Sequence, residues 1–310
     1  MTSPEAFNEI KKNMKRKNLI LLSIFAMFFL GNKAISIIMT DDNKEGFSKR
    51  PNVIPIIKPA KPEDLKIEFI SPVETYSRKP LLGKKLFFDP ILSKTGKVSC
   101  ASCHRPDHGL ADDKPVSLGI NGLKGNRNSP TVYGAKNLKL LFWDGRAMNF
   151  EEQALGPIEN PVEMGEMIGN VLVKLNKDES YKKEFEEVFG KNGITKENLA
   201  NAIAEFERTQ VSLDSDYDRY IAGDIKALSP SAKRGLDLFK GKAMCIACHK
   251  GPDFTDGDFH NIGLPITEDV GRAKISVTGK DTRKFKTPTL REIEKTGPYF
   301  HAGQFDSLEA

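Results

Sequence analysis

The chain has 310 residues, of which 39% are hydrophobic and 29% charged, as is typical of soluble globular proteins. Its length allows two domains of ordinary size, each with its own core. The formal net charge of +5 is modest and lies partly at the N-terminus, so we expect no nucleic-acid partner.

The first 40 residues have the pattern of an export signal. Five basic residues between positions 11 and 17 precede an apolar run at residues 19–30. A basic segment before about 12 apolar residues is typical of a secretory signal and is short for a membrane span. No clear cleavage site follows. We therefore interpret residues 1–40 as a signal peptide or membrane anchor, which places the rest of the chain in the periplasm.

Residues 41–65 contain four prolines among charged residues, as in an extended linker. Beyond this linker, three segments of the chain recur later in the same order. The pairs are residues 82–88 with 234–239, 128–132 with 286–290, and 142–151 with 300–309. Both members of the first pair have the pattern of a short amphipathic helix whose glycine allows close approach to another element. The recurrence indicates a duplicated domain.

Two Cys-x-x-Cys-His motifs contain all four cysteines and leave none for a disulfide. In this motif two thiols bond the vinyl groups of one haem, and the adjacent histidine binds its iron. A zinc site would need both cysteine pairs close together in space, and a redox dithiol needs no histidine. The sequence therefore predicts two covalent haem c groups, attached at Cys100, Cys103 and His104 and at Cys245, Cys248 and His249.

Helical periodicity is clear over residues 195–211 and weaker over residues 166–189. In the first of these segments one face is shared by Leu199, Ile203, Phe206 and Val211. Strand alternation is nearly absent from the chain. The pattern predicts a mostly helical protein.

We expect an N-terminal domain at residues 66–220 and a C-terminal domain at residues 221–310. The first copy of the repeat continues for roughly fifty residues past Glu151, whereas the second reaches Ala310 where the equivalent helix would start. We therefore expect the C-terminal domain to be incomplete.

In this order the motifs resemble those of the bacterial di-haem cytochrome c peroxidases and MauG-type enzymes. Besides both haem motifs, the resemblance depends on residues 127–131, 142–146, 153–164 and 296–301. It implies an all-α fold of two tandem class I cytochrome c-like domains, with haems facing a shared interface. It also implies that the N-terminal haem reduces hydrogen peroxide, and that the C-terminal haem receives electrons from a small cytochrome c or a cupredoxin.

The candidate catalytic residues are Glu163, Gln153 and Trp143. A peroxidatic haem needs a group that moves a proton between the peroxide oxygens, and a carboxylate beside an apolar haem face should have a raised pKa. The resemblance implies that Glu163 and Gln153 line the distal pocket of the first haem, and that Trp143 mediates electron transfer between the haems. Without the resemblance, Glu163 and Gln153 would be interpreted as surface residues and Trp143 as an aromatic residue of the core.

The resemblance also implies a calcium ion between the haems. Its ligands would be Asn128 and the backbone carbonyls of Thr296 and Pro298. Oxygen ligands suit Ca²⁺, whereas an asparagine alone would indicate only a turn.

One departure from the family concerns the first haem. Many family peroxidases carry a histidine sixteen residues after the first iron ligand, and it blocks the iron until reduction displaces it; this chain has Ile120 there. We therefore expect the first haem to be five-coordinate or water-bound in the oxidised protein. His108, four residues past His104, is expected at the surface or behind the iron ligand.

A second departure concerns the second haem. The family's sixth iron ligand, a methionine or a tyrosine, would follow Ala310. Met244 is expected to pack rather than to bind iron, and His260 is an alternative sixth ligand that the sequence leaves open. His301 is expected to touch a haem propionate or the region between the domains.

The leading interpretation is a periplasmic di-haem peroxidase. Ile120 favours an alternative, a MauG-type enzyme that oxidises a protein side chain through Trp143. A third interpretation, an electron carrier without turnover, would need neither Glu163 nor Gln153. The resemblance also allows a homodimer.

Overall fold

The computed structural model describes residues 78–264 and 268–309, which belong to one compact unit that spans residues 70–310. The interpreted export signal or anchor at residues 1–40 and the linker at residues 41–65 lie outside the described residues. Among the helices of the described ranges, none is long and apolar enough to cross a membrane.

Eight α-helices lie in the described ranges. They are α1 Arg78–Phe88, α2 Phe150–Glu159, α3 Ile168–Lys177, α4 Glu179–Phe189, α5 Lys196–Arg208, α6 Asp216–Ile221, α7 Pro230–Lys240 and α8 Ala273–Ser276. The one strand ladder in these ranges is antiparallel and pairs β1, Phe259–His260, with β2, Phe285–Lys286. The described chain is therefore helix-rich with little sheet, as the sequence predicted.

Helices α1 and α5 cross closely in the N-terminal core. A Cβ atom on Gly83 of α1 would lie 1.8 Å from the Ala202 carbonyl oxygen of α5, so a larger residue would push the helices apart. The rings of Phe87 and Phe206 pack at this crossing, with centroids 5.1 Å apart. The predicted close approach at this glycine is confirmed.

The predicted helix at residues 195–211 corresponds to α5, which ends at Arg208. The Thr209 hydroxyl then donates to the Phe206 carbonyl, which helps to end the helix. Val211 therefore lies past the helix and is exposed, whereas the other three residues of the predicted face are buried. The prediction for Val211 is wrong because the helix stops before another turn could return that side chain to the core.

The weaker periodicity over residues 166–189 corresponds to two helices. Asp178 has an extended backbone between α3 and α4, and its carboxylate accepts hydrogen bonds from the Ser180 and Tyr181 amides. An aspartate with this geometry caps the start of α4 and so separates the two helices.

Contacts that follow the first haem motif recur after the second. The Thr131 hydroxyl donates to the Gly109 carbonyl at 2.6 Å, and the Thr289 hydroxyl donates to the Asp253 carbonyl at 2.7 Å. Backbone bridges also recur, namely Leu141 with Ala147 and Tyr299 with Phe305. Two of the three sequence echoes thus have matching contacts, while the domain boundary at residues 220 and 221 stays a prediction.

Helix α7, which precedes the second haem motif, differs from its counterpart α1. None of its residues is buried, and no atom of the other described elements lies within 4 Å of the place where a Gly235 Cβ would stand. Within the described residues, no helix covers α7 as α5 covers α1. The predicted close approach at Gly235 is therefore wrong for this part of the chain, and the incompleteness of the C-terminal domain stays a prediction.

A buried ion-pair network joins the two halves of the described chain. The Arg127 guanidinium lies 2.7 Å from an Asp144 carboxylate oxygen and 2.6 Å from one of Asp269. Arg272 donates to the backbone carbonyl of Asp144 at 2.8 Å. Because these groups are partly or fully buried, the network fixes the register between the halves more firmly than surface pairs would.

Candidate functional site

A first cavity opens beside the first haem motif. Its walls include Cys100, Cys103 and His104, together with many apolar side chains such as those of Val98, Leu141, Phe142, Phe150 and Ile203. A covalent haem needs two thiols that bond its vinyl groups, an imidazole that binds its iron, and an apolar cavity that holds the macrocycle, and all three are present here.

The local fold orients both candidate iron ligands in the same way. The Nδ1 atom of His104 lies 3.1 Å from the Leu110 carbonyl oxygen, and Nδ1 of His249 lies 2.9 Å from that of Phe254. Because Nδ1 is hydrogen-bonded to a backbone carbonyl, Nε2 is the nitrogen that remains free to bind iron. Burial also lowers the pKa of His104, which favours the neutral imidazole that metal binding requires.

A second cavity opens beside the second haem motif. It is lined by Cys248 and His249, and also by His260 and His301. Cys245, the first residue of the motif, is half-buried and does not line this cavity. Cys248 and His249 thus lie beside the second cavity as Cys103 and His104 lie beside the first, and covalent attachment of a haem at Cys245 and Cys248 stays a prediction.

The two cavities share a wall. The residues that line both are Trp143, Lys286, Pro288, Ile293, Tyr299 and Phe300. Trp143 is buried, its indole Nε1 donates to the Asn128 carbonyl at 2.9 Å, and its own carbonyl accepts from the Lys286 amide at 2.8 Å. The tryptophan thus lies between the cavities, where the resemblance places it, and its role in electron transfer stays a prediction.

Glu163 and Gln153 both line the first cavity. The Glu163 carboxylate accepts a hydrogen bond from the Asn160 amide at 2.7 Å. Burial raises the pKa of Glu163, while Arg146 and the bond from Asn160 act in the opposite direction. The net effect is a carboxyl that takes up a proton more readily than one in water.

The turn that carries Glu163 is held by the segment around Ile120. A Cβ atom on Gly119 would lie 2.0 Å from the Val162 carbonyl oxygen, and the Ile120 amide donates to the Glu163 carbonyl at 2.8 Å. The Ile120 side chain is buried against Gly165 and lines neither cavity. Position 120 therefore supports the Glu163 turn from behind, and the expected coordination of the first haem stays a prediction.

The three candidate calcium ligands all line the first cavity. Asn128 is buried, and its Nδ2 donates to the Lys114 carbonyl at 3.0 Å, which leaves Oδ1 for another partner. Together with the carbonyl oxygens of Thr296 and Pro298, this makes an all-oxygen donor set that fits Ca²⁺. Calcium binding itself stays a prediction.

The remaining histidines and Met244 take different positions. His108 is half-buried, hydrogen-bonds the Gly297 carbonyl and lines neither cavity, while Met244 is exposed, so the packing expected for it is wrong. His260 lies 2.9 Å from an Asp256 carboxylate oxygen. His301 is buried and stacks on Phe285 with centroids 3.6 Å apart.

The sequence interpretation missed two buried charged residues that line the cavities. Glu207 lines the first cavity, its Oε2 atom has no hydrogen-bond partner among the described residues, and burial raises its pKa to about 8. Lys286 lies in the shared wall, and burial lowers its pKa to about 8. Glu207 was detectable, because it follows Ile203 by four positions on the apolar face of α5. Lys286 begins the recurring segment at residues 286–290, but no pattern in that segment indicates that the lysine is buried.

Two Cys-x-x-Cys-His motifs, each beside its own cavity, with the cavities meeting at one wall, are the features expected of a c-type cytochrome with two haem sites. The family model described as di-haem cytochrome c peroxidase matches residues 77–226. The chain is 40% identical over 262 residues to the methylamine utilization protein MauG of Methylophilus methylotrophus, covering 83% of this chain and 77% of that protein. The chain belongs to the di-haem cytochrome c peroxidase family.

Two further similarities agree with this assignment. Cytochrome c551 peroxidase of Nitrosomonas europaea is 41% identical over 236 residues, covering 74% of this chain and 70% of that protein. The crystal structure of a MauG-like protein associated with microbial copper homeostasis superposes with a TM-score of 0.72 at 31% identity, covering 76% of this chain and 75% of that one. The predicted family, its enzyme class and the use of haem c are confirmed.

Proposed function

We propose that this protein reduces hydrogen peroxide at the first haem site, in the periplasm, with electrons from a small cytochrome c or a cupredoxin. Each H₂O₂ takes two electrons and two protons and yields two molecules of water. One observation carries the proposal: the cavity beside His104 contains Glu163 and Gln153, and it shares Trp143 with the cavity beside His249.

His104 would hold the haem iron, which would supply the redox chemistry for cleavage of the peroxide O–O bond. Glu163 accepts the proton from one peroxide oxygen and returns it to the other, which leaves as water. Its raised pKa suits this exchange, because a carboxylate in water would hold the proton too weakly at neutral pH. Gln153 offers an amide N–H and a carbonyl oxygen to orient the peroxide.

Trp143 is the route for electrons from the second site to the first. Its indole belongs to both cavities and is fixed by the hydrogen bond to the Asn128 carbonyl. The Asn128 side chain, with Thr296 and Pro298, would hold Ca²⁺ close to this route. Calcium would then fix the segment that positions the indole.

A MauG-type oxidation of a protein side chain is the second candidate. Two observations favour it: Ile120 packs into the core away from the first cavity, and two relatives are named MauG. In this alternative Glu163 keeps its role in proton exchange, and Trp143 conducts electrons from the surface of a protein substrate. The chemistry at His104 is shared, and the candidates differ in what donates the electrons.

The test starts from the oxidised holoprotein, without added reductant. Its EPR spectrum should show a first haem with no second histidine ligand, and peroxide should change its optical spectrum at once. Reduced cytochrome c is then added. Rapid oxidation of the donor supports the peroxidase, whereas a long-lived oxidised protein that leaves the donor reduced supports the MauG-type reaction. Absence of any reaction with peroxide would overturn both.

A further inference from the structure

Lys286 at the end of β2 is a buried cation without an anion. At 8% exposure, Lys286 is the one buried lysine among the described residues. Its ammonium group makes no hydrogen bond or ion pair with any described residue, and burial is the one influence that shifts its pKa. An isolated buried charge is costly, so proteins retain such a group mainly where a partner compensates it.

The position of Lys286 indicates which anion could compensate its charge. It is the sole charged residue among the six that line both cavities. The acidic residues that line the first cavity, Glu163 and Glu207, do not belong to this shared wall. The compensating anion is therefore expected to arrive with whatever fills the cavities.

Each haem c brings two carboxylates, its propionates, on the edge of the macrocycle remote from the thioether bonds. The cysteines that hold the thioether edges line one cavity each, Cys100 and Cys103 the first and Cys248 the second, and none of them belongs to the shared wall. Because the thioether edge of each haem would lie away from the shared wall, the opposite edge with its propionates could reach that wall. We propose that the Lys286 ammonium group binds a haem propionate at this wall.

The proposed pair would stand next to Trp143. The Lys286 amide donates to the Trp143 carbonyl at 2.8 Å, so the backbone segments that carry the lysine and the indole lie directly against each other. A cation there would raise the reduction potential of the haem whose propionate it binds, because it opposes the loss of an electron. The inference requires haem attachment alone and holds whether or not peroxide is the substrate.

The test is a redox titration of the holoprotein carrying Lys286→Met, a change that keeps the length of the side chain and removes its charge. The midpoint potential of at least one haem should shift to a more negative value. The resonance Raman band of propionate bending should shift in the same variant. Lys284→Met is the matched control, because Lys284 lies two positions earlier, pairs with Asp281 at 3.1 Å and lines neither cavity.

The proposal is overturned if Lys286→Met and Lys284→Met have the same potentials and both keep the wild-type propionate band. Haem content, measured after alkaline pyridine treatment, reports whether both haems are attached. If Lys286→Met attaches less haem, Lys286→Arg carries the test. Its guanidinium keeps the charge and changes the hydrogen bond, so the propionate band should shift while the potentials stay close to those of the wild type; an unchanged band would then overturn the assignment.

Discussion

The indole Nε1 of Trp143 donates a hydrogen bond of 2.9 Å to the backbone carbonyl of Asn128. The backbone amide of Asn128 in turn donates to the His301 carbonyl at 2.8 Å. His301 lines the second cavity, whereas Asn128 lines the first and Trp143 lines both. One short chain of hydrogen bonds therefore connects the walls of the two candidate haem sites.

Replacement of Trp143 by phenylalanine should slow electron transfer between the sites. The variant keeps an aromatic ring in the core and loses the hydrogen bond to Asn128, which costs about 1 kcal/mol of stability. We expect donor-dependent peroxide turnover to fall tenfold or more, equivalent to about 1.4 kcal/mol or more of activation free energy. Steady-state turnover with a reduced cytochrome c measures this effect.

The control for Trp143→Phe is Phe150→Leu. Phe150 lines the first cavity but lies outside the shared wall, so its loss changes an apolar surface without interrupting the proposed route. If both variants lose the same fraction of turnover at equal haem content, Trp143 has no special part in electron transfer.

The Asn128 side chain can be removed without removing its backbone contacts. Asn128→Ala keeps the bonds to Trp143 and His301 and loses one proposed calcium ligand. In the wild type, Ca²⁺ at a hundredfold excess over its Kd should stabilise the fold by about 2.7 kcal/mol, and this gain should largely disappear in the variant. Thermal unfolding with calcium and with a chelator measures it.

Asn126→Ala is the matched control, because Asn126 lines the same cavity and is not one of the proposed ligands. It should keep the full response to calcium. If the melting temperature of the wild type is the same with calcium and with a chelator, the protein does not bind calcium at this site.

Glu163→Gln should lower kcat/KM for peroxide by about 10²- to 10⁴-fold, the usual contribution of a positioned acid–base group. The amide keeps the size of the side chain and cannot take up the proton. Because burial raises the pKa of Glu163 above the ordinary glutamate value of 4.5, the wild-type rate should fall on acidification at a pH above that value. This acidic limb should be absent from the pH profile of the variant.

Glu159→Gln makes the same chemical change on an exposed residue that does not line the cavity. It should leave the rate and the pH profile unchanged. A Glu163→Gln enzyme within twofold of the wild type would show that another group moves the proton.

Glu207 should make the folded state less stable as the pH rises. Its pKa is raised from 4.5 to about 8 by burial, so between these values the folded protein binds a proton that the unfolded chain has released. Glu207 therefore does not change the free energy of unfolding below about pH 4.5, and it lowers that free energy progressively as the pH rises to about 8. Since one pKa unit corresponds to about 1.4 kcal/mol, Glu207→Gln should gain up to a few kcal/mol over the wild type at pH 8.

Denaturant unfolding of the holoprotein at pH 5 and pH 8 measures this difference. Glu205→Gln, on the more exposed side of the same helix, separates the effect of burial from the simple loss of a carboxylate. A Glu207→Gln advantage that is equal at both pH values would contradict the account.

Local sequence patterns predicted those parts of the site that depend on covalent spacing. The two haem motifs have fixed offsets between thiols and imidazole, so Cys100, Cys103 and His104 could be assigned before any fold was known. The close approach at Gly83 followed in the same way from a glycine on an apolar helix face. In contrast, Val211 and Gly235 were misjudged, because helix length and the cover of a helix depend on partners distant in the sequence.

The shared wall could not be predicted from local patterns at all. It brings Trp143 together with Lys286 and Phe300, which lie more than a hundred positions further along the chain, and none of the three lies in a periodic segment. A buried lysine looks like any surface lysine in sequence, since only tertiary packing decides its solvation. Glu207 is the intermediate case, with a recognisable position on α5 but a cavity that becomes visible only in the fold.

The most direct test of the central claim counts electrons per peroxide. The oxidised holoprotein is mixed with a known amount of H₂O₂ and an excess of reduced cytochrome c, and oxidation of the donor is followed optically to completion. We predict two donor molecules oxidised for each peroxide, with a rate that falls sharply in Glu163→Gln while the stoichiometry is kept. Consumption of peroxide without oxidation of the donor would contradict the account.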